Sequence, residues 1–210
     1  FDPAAFRAWG EKEFIESNAW MNNWSVMHDI PELMEMQGGK EAFAALLDTL
    51  FTRPFDRSYP HIPLDVTGLV GNYAHGNEQT HHIAYLYNYA GQPRKTQERV
   101  RQIMESQYSA QRDGLCGNDD CGQISAWYVL SAMGMYAVNP ASGEYQLGIP
   151  LFDRLEIGLE NGNRLVVEAP GAATKKHVSE VWLNGEKLDR MSVRIEEIQK
   201  GGTLRFVLED

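Results

Sequence analysis

Cationic side chains are scarce in this chain: 19 lysines and arginines stand against 29 aspartates and glutamates in 210 residues, a net charge of -10. That balance repels phosphate backbones and anionic lipid headgroups, so neither nucleic acid nor a membrane surface is expected as a partner. Long apolar runs are missing too. No stretch approaches the roughly 20 apolar residues of a spanning helix, and no basic segment leading into an apolar one opens the chain as a secretory leader would. Cysteine occurs twice, at Cys116 and Cys121. Two are too few for a disulfide scaffold and no neighbouring pair or histidine completes a zinc set, so free thiols are expected. Internal repeats, heptads and the G-x-S-x-G elbow of a serine hydrolase are also absent. What remains is 43% hydrophobic and 23% charged, a globular composition with room for one large domain or two small ones. The chain opens on Phe1 within an aromatic stretch (Phe1, Phe6, Trp9, Phe14), which reads as a cut rather than a natural start.

The hydrophobic period changes near residue 140. Phe43, Leu46, Leu47, Leu50 and Phe51 follow the i, i+3, i+4, i+7, i+8 spacing of an amphipathic helix. Asp29, Pro31 and Glu32 open a shorter helix that runs to Met36 and stops at Gly38 and Gly39. His81 to Tyr89 predicts a buried helix ended by Gly91, and Pro93 opens another on which Val100, Ile103, Met104 and Tyr108 share a face. A further helix, capped by Asp120 with Gln123, carries Ile124, Trp127, Tyr128 and 130–135, too apolar all round to face water. After Pro140 the period falls to two. Leu155, Ile157 and Leu159 alternate, 161–163 turn, 165–169 return, 178–183 lead to an Asn184-Gly185 turn and 203–208 alternate again, which predicts an antiparallel sheet. Residues 52–76, rich in proline and glycine, form a long loop of the kind that is often functional.

Three polar clusters are left over at loop-to-helix junctions: 16–29 with Glu16, Asn18, Trp20 and Trp24; 75–82 with His75, Asn77, Glu78, His81 and His82; and 117–123 with Asn118, Asp119 and Asp120. Each has a bland reading. Asn77 and Asp120 are good N-caps, the histidines and tryptophans are good core residues, and Glu16 would serve as a solvated helix residue. Jointly they suit glycosidic bond cleavage, which needs one protonated and one ionised carboxyl group. Glu16 near tryptophans suits the first and Asp119 or Asp120 the second, because apolar surroundings raise a carboxyl pKa. The oxygens of Asn77, Glu78 and the aspartates also suit a hard cation such as Ca²⁺.

The runs 16–20 (ESNAW), 75–85 (HGNEQTHHIAY) and 114–128 (GLCGNDDCGQISAWY) closely resemble the exo-acting α-mannosidases of glycoside hydrolase family 92. The likeness extends through 147–153 and the 182–185 hairpin. It implies a calcium-dependent, inverting exo-α-mannosidase acting on mannose-containing glycans such as N-glycans, exported to the periplasm or secreted. The fold it implies is mainly α with a C-terminal β portion. Residues 1–140 would be part of an (α/α)6 barrel carrying the catalytic motifs, and residues 141–210 a β-rich antiparallel sheet or sandwich domain. An N-terminal β-sandwich and the first half of the barrel would be missing, so the isolated chain is expected to be nearly inactive. By resemblance, Glu16 is the general acid, Asp120 the general base, Asn18, Trp20, His75 and Asp119 contact substrate, and Asn77, Glu78 and Asp120 hold Ca²⁺. Inversion sets the two catalytic carboxyl groups roughly 6.5–9.5 Å apart. Ser17 stands where relatives usually carry Gly, Asn118 where they often carry an acid, and Gly76 where members cleaving α-1,2 links tend to carry Glu. The competing expectation is a non-catalytic, calcium-dependent carbohydrate-binding or structural module.

Overall fold

The computed structural model describes residues 2–7 and 14–210. Phe1 and Trp9 of the opening aromatic stretch lie outside the described residues. Among the described residues the secondary structure is mixed, 33% helical and 21% strand. Short α1 (Ala19–Asn22) is capped by Asn18, whose side chain accepts from the Met21 amide. In α2 (Ile30–Met36) Asp29 caps the Glu32 amide and Pro31 occupies the first turn, as its sequence predicts. Gly38 and Gly39, both at positive φ, turn the chain into α3 (Lys40–Thr52). Its stripe of Phe43, Leu47, Leu50 and Phe51 is buried.

The segment expected as one long loop is better ordered than its composition suggests. It contains a two-residue hairpin, β1 (Leu69–Val70) and β2 (Tyr73–Ala74), paired antiparallel. Phe6, Met21, Val66 and Ala74 form a small core there, with Phe55, Tyr59, Ile62 and Leu69 packed around it. The expected helix over 81–89 is a correction: the chain makes two 3₁₀ turns, Glu78–Thr80 and Ile83–Asn88. Almost every side chain from Thr80 to Tyr87 is buried, so no solvated face exists to set a regular amphipathic period, and short 3₁₀ pieces follow tertiary packing. In α4 (Pro93–Ser106) Val100, Ile103 and Met104 are buried. Tyr108 falls beyond the helix end, in an isolated bridge with Leu115.

Helix α5 (Gln123–Ala132) is apolar on all sides as expected, yet Val129 is 57% exposed. Met135 belongs not to that helix but to β3 (Met135–Tyr136), which pairs with β4 (Glu144–Leu147). The following strands are β5 (Arg154–Gly158), β6 (Arg164–Glu168), β7 (His177–Leu183), β8 (Glu186–Lys187) and β9 (Ser192–Arg194). Short α6 (Ile195–Gln199) and then β10 (Gly202–Glu209) complete the chain. Two sheets result, ordered β5-β6-β10-β7-β8 and β3-β4-β9. Asn184 and Gly185, both at positive φ, turn β7 into β8, the geometry a two-residue hairpin demands.

The expectation of an antiparallel sheet holds for every pair of the larger sheet except one. β10 runs parallel to β6, with Gly202 opposite Leu165 and Arg205 opposite Glu168. Its other edge pairs antiparallel with β7. Hairpin signals report only neighbours in sequence, whereas β10 inserts between β6 and β7 after a long crossover, and its Leu204, Phe206 and Leu208 fill the centre of the core with Leu165, Val167, Val181 and Val193.

The compact units cross the change of period at residue 140. One comprises 1–83 and 105–126, the other 84–104 and 127–210. All three polar clusters belong to the first. A cavity of about 420 Å³ in the second is lined mainly by apolar side chains, among them Leu130, Met133, Tyr145 and Ile157, and holds none of the cluster residues.

Candidate active site

Glu16 adopts a left-handed backbone conformation, φ 52°, which costs a non-glycine residue about 1–2 kcal/mol. Neighbouring polar groups hold it there. Asn77, 4% exposed, donates from Nδ2 to the Glu16 carbonyl oxygen (3.3 Å) and to Glu16 Oε2 (3.4 Å). Gln79 Nε2 donates to the carbonyl of Ile15 at 2.9 Å. The first and second clusters are thus tied together by side-chain amides. Asn77 precedes a 3₁₀ turn but makes no cap bond, so its bland reading as a cap gives way to a contact with Glu16.

The second cluster is anchored from beneath. Tyr108 donates its hydroxyl proton to the Ile124 carbonyl (3.0 Å). Toward His75 Nε2, 2.6 Å away, the same oxygen therefore accepts, so His75 carries its proton on Nε2. Nδ1 then accepts from the Tyr73 hydroxyl at 2.7 Å. Burial pushes the His75 pKa down to about 2, and neighbouring His81 acts in the same direction. His81 donates from Nε2 to the His75 carbonyl (3.0 Å) and receives Gln123 Nε2 on Nδ1 (3.4 Å). His82 donates to the Trp24 carbonyl at 2.8 Å. Burial lowers the pKa of each of these two to about 4.

Glycines bring the second and third clusters into backbone contact. A Cβ on Gly117 would collide with the carbonyl oxygen of Gly76, and a Cβ on Gly76 would collide with Thr67 Oγ1. Asn118, which follows, donates to Asp65 Oδ1 at 3.2 Å. The helix cap in this cluster is Asp119, a correction to the expected Asp120: its two oxygens accept from the Ser125 amide (3.0 Å) and hydroxyl (2.6 Å). Those bonds hold the Asp119 carboxyl below the usual range. Asp120 begins a tight turn whose next residue, Cys121, is left-handed at φ 54°. Among the described residues the exposed carboxylates of Asp120 and Glu78 have no hydrogen-bonding or ionic partner. Cys116 and Cys121 are free thiols, and burial pushes Cys116 up to about 11.

The candidate site residues therefore divide. Glu16 and Asn77 touch, and the loop bearing Asp119 and Asp120 abuts the loop bearing Asn77 and Glu78. Asn18 and His75, expected at substrate, are 1% and 0% exposed, with the Asn18 amide donating to the Ala4 carbonyl and its oxygen capping α1. Their polar atoms are committed inside the protein. Trp24 is fully buried edge-on against Phe43, while Trp20 is half-buried. Gln79, Ser125, Tyr73 and Tyr108 were missed. Ser125 lies six residues from its partner, and Tyr73 and Tyr108 stand just outside the recognised runs, so spacing gave no signal; Gln79 sat inside a recognised run without a role. No three His, Cys, Asp or Glu side chains are gathered to hold a metal among the described residues.

Carboxylates and side-chain amides on loops beside buried histidines make up this region, and comparison with known proteins gives the class to which the chain belongs. Residues 1–210 match the glycosyl hydrolase family 92 catalytic domain; the chain belongs to that family. It is 37% identical to a family GH92 α-mannosidase from Bacteroides thetaiotaomicron, with a TM-score of 0.90 over 100% of this chain and 27% of that one. With the mannoimidazole complex of that enzyme the TM-score is 0.93 at 36% identity, over 100% of this chain and 28% of that one. A family GH92 inverting mannosidase from the same organism gives 0.83 at 37% identity, over 100% of this chain and 29% of that one. An uncharacterized secreted glycosidase of Arthroderma benhamiae is 28% identical over 94% of this chain and 24% of its own length. The chain thus spans less than a third of each of these relatives.

Proposed function

We propose that this chain supplies the acid–base residues of a calcium-dependent, inverting exo-α-mannosidase acting on mannose-containing glycans, N-glycans among them. The contact of Asn77 with both the backbone and the carboxylate of Glu16 is the observation that carries it. With Oε2 held by Asn77, Glu16 Oε1 is the oxygen left to bring a proton to the departing glycosidic oxygen. Asp120, exposed and without a partner among the described residues, is the base that takes a proton from the attacking water. Asp119 is ionised and fixed by Ser125, so it fits an acceptor of sugar hydroxyls better than a proton donor, and half-buried Trp20 offers a ring face to the sugar. The helical part is read as a portion of an (α/α)6 barrel, and a periplasmic or secreted location agrees with the secreted relative. No described helix is long and apolar enough to cross a membrane.

The donors suit Ca²⁺ in kind: Asn77 Oδ1 and the unpaired carboxylates of Glu78 and Asp120 are hard oxygens. With no three His, Cys, Asp or Glu side chains gathered among the described residues, such an ion would complete its shell from water and sugar hydroxyls. Bound there, it would supply positive charge that orients hydroxyls and favours a distorted ring. Proton NMR of the protein as expressed, incubated with an α-mannoside, tests the reading. The first mannose released is the β-anomer, and turnover stops with chelator and returns with Ca²⁺; α-mannose as first product contradicts inversion. The unpaired state of Glu78 and Asp120 also favours a second reading, a non-catalytic calcium-dependent sugar-binding or structural module. Calorimetry would then give chelator-sensitive mannose binding without turnover.

A further inference from the structure

We propose that Gln79 is a positioning residue for Glu16, through a hydrogen bond to the peptide before it. This rests on the reading of Glu16 as the proton donor. Glu16 stands at φ 52°, a conformation an unconstrained glutamate leaves for the right-handed or extended region. Something outside its own turn must hold it. Two side-chain amides meet the two carbonyls that flank the Glu16 α-carbon: Gln79 Nε2 binds that of Ile15 at 2.9 Å, and Asn77 Nδ2 binds that of Glu16 at 3.3 Å. Fixing both peptide planes fixes φ and ψ between them, and with them the direction in which the side chain leaves the backbone.

The clamp is itself well founded. Thr80, which follows Gln79, donates its hydroxyl to the carbonyls of Ala74 and Asn77 at 2.7 and 3.0 Å, and His81 and His82 are bonded to the His75 and Trp24 carbonyls. Gln79 therefore projects from a turn held on both sides, whereas among the described residues the 14–17 turn has few bonds of its own, the Ser17 hydroxyl bonding the Asn18 carbonyl at 3.4 Å. Gln79 has no carboxylate or imidazole to contribute to the chemistry. Its effect is on where the Glu16 carboxyl sits, and misplacement of a catalytic group by even 1 Å costs about a hundredfold.

Leaving-group dependence separates a misplaced acid from general damage, because an activated aryloxide departs without protonation and a sugar does not. In the protein as expressed, Gln79→Ala and Gln79→Glu lower kcat on an α-mannobiose about 10- to 100-fold with KM within about twofold, and change hydrolysis of 2,4-dinitrophenyl α-mannoside by less than about threefold. Gln79→Glu keeps the shape and removes the donor, so an equal loss in both variants assigns the effect to the N–H. Glu16→Gln serves as reference: without its own leaving-group dependence the acid assignment fails, whatever Gln79 does. If Glu16→Gln shows that dependence and the Gln79 variants affect both substrates equally, or neither, the positioning role is wrong. Independently of activity, NMR detects a through-hydrogen-bond coupling between the Gln79 side-chain nitrogen and the Ile15 carbonyl carbon in this chain; its absence also overturns the proposal.

Discussion

The two halves of this chain are held in different ways. In the sheet that ends at β10, strand follows strand in ladders, and Leu165, Val167, Leu204 and Phe206 face one apolar core. In the region of the three polar clusters, elements are short, and order comes from side chains bonded to backbone carbonyls and from glycines that let loops touch. The first arrangement stores its stability in buried area. The second depends on individual polar contacts and steric fits, which stabilise little singly but decide where functional atoms lie.

Breaking each arrangement sharpens the contrast. The largest expected loss comes from Phe206→Ala, which empties the sheet core: about 3–5 kcal/mol in urea unfolding, with no direct effect on the Glu16 region. Acid acts next, and selectively on the cluster region. His81 and His82 are held near pKa 4 against about 6.5 unfolded, so below pH 6.5 the unfolded chain binds protons that the folded one refuses. Stability is thus full above pH 6.5 and falls toward pH 4, by about 2 kcal/mol per histidine between pH 7 and 5. Unfolding curves at the two pH values measure it, and His82→Gln removes its share of the slope. Smaller again is Gly117→Ala, expected to cost about 1–3 kcal/mol because the new methyl meets the Gly76 carbonyl; native-state hydrogen exchange should place the loosening in 75–78 and 116–120. Val129→Ser, at a 57% exposed position, changes stability by less than about 0.5 kcal/mol.

Legibility in the sequence follows the same division. Where burial imposes a period, as in α3, α4, β5, β6, β7 and β10, the pattern of apolar residues predicts the elements closely, whereas the short β8 and β9 carry no such pattern. It could not reveal that β10 lies parallel to β6, because that pairing is set by distant segments competing for one core. Around the site, the motifs located Glu16, Asn77 and Asp119, but not what each one touches. Asp119 rather than Asp120 supplies the side-chain acceptors at the start of α5, taking the Ser125 amide and hydroxyl, because the left-handed Cys121 separates Asp120 from the helix start. His75 and Asn18 carry the look of ligands, and their burial is decided by Tyr73, Tyr108 and the Ala4 carbonyl, none of which a local pattern connects to them.

The acid–base assignment stands or falls on Glu16→Gln and Asp120→Asn, assayed on an α-mannoside with a poor leaving group in the protein as expressed. Each is expected to lower kcat by about 10²- to 10⁴-fold with unfolding curves that overlay the parent, since Asp120 has no partner among the described residues and Glu16 keeps its backbone bond to Asn77. A variant that retains near-parental kcat contradicts the role given to that residue.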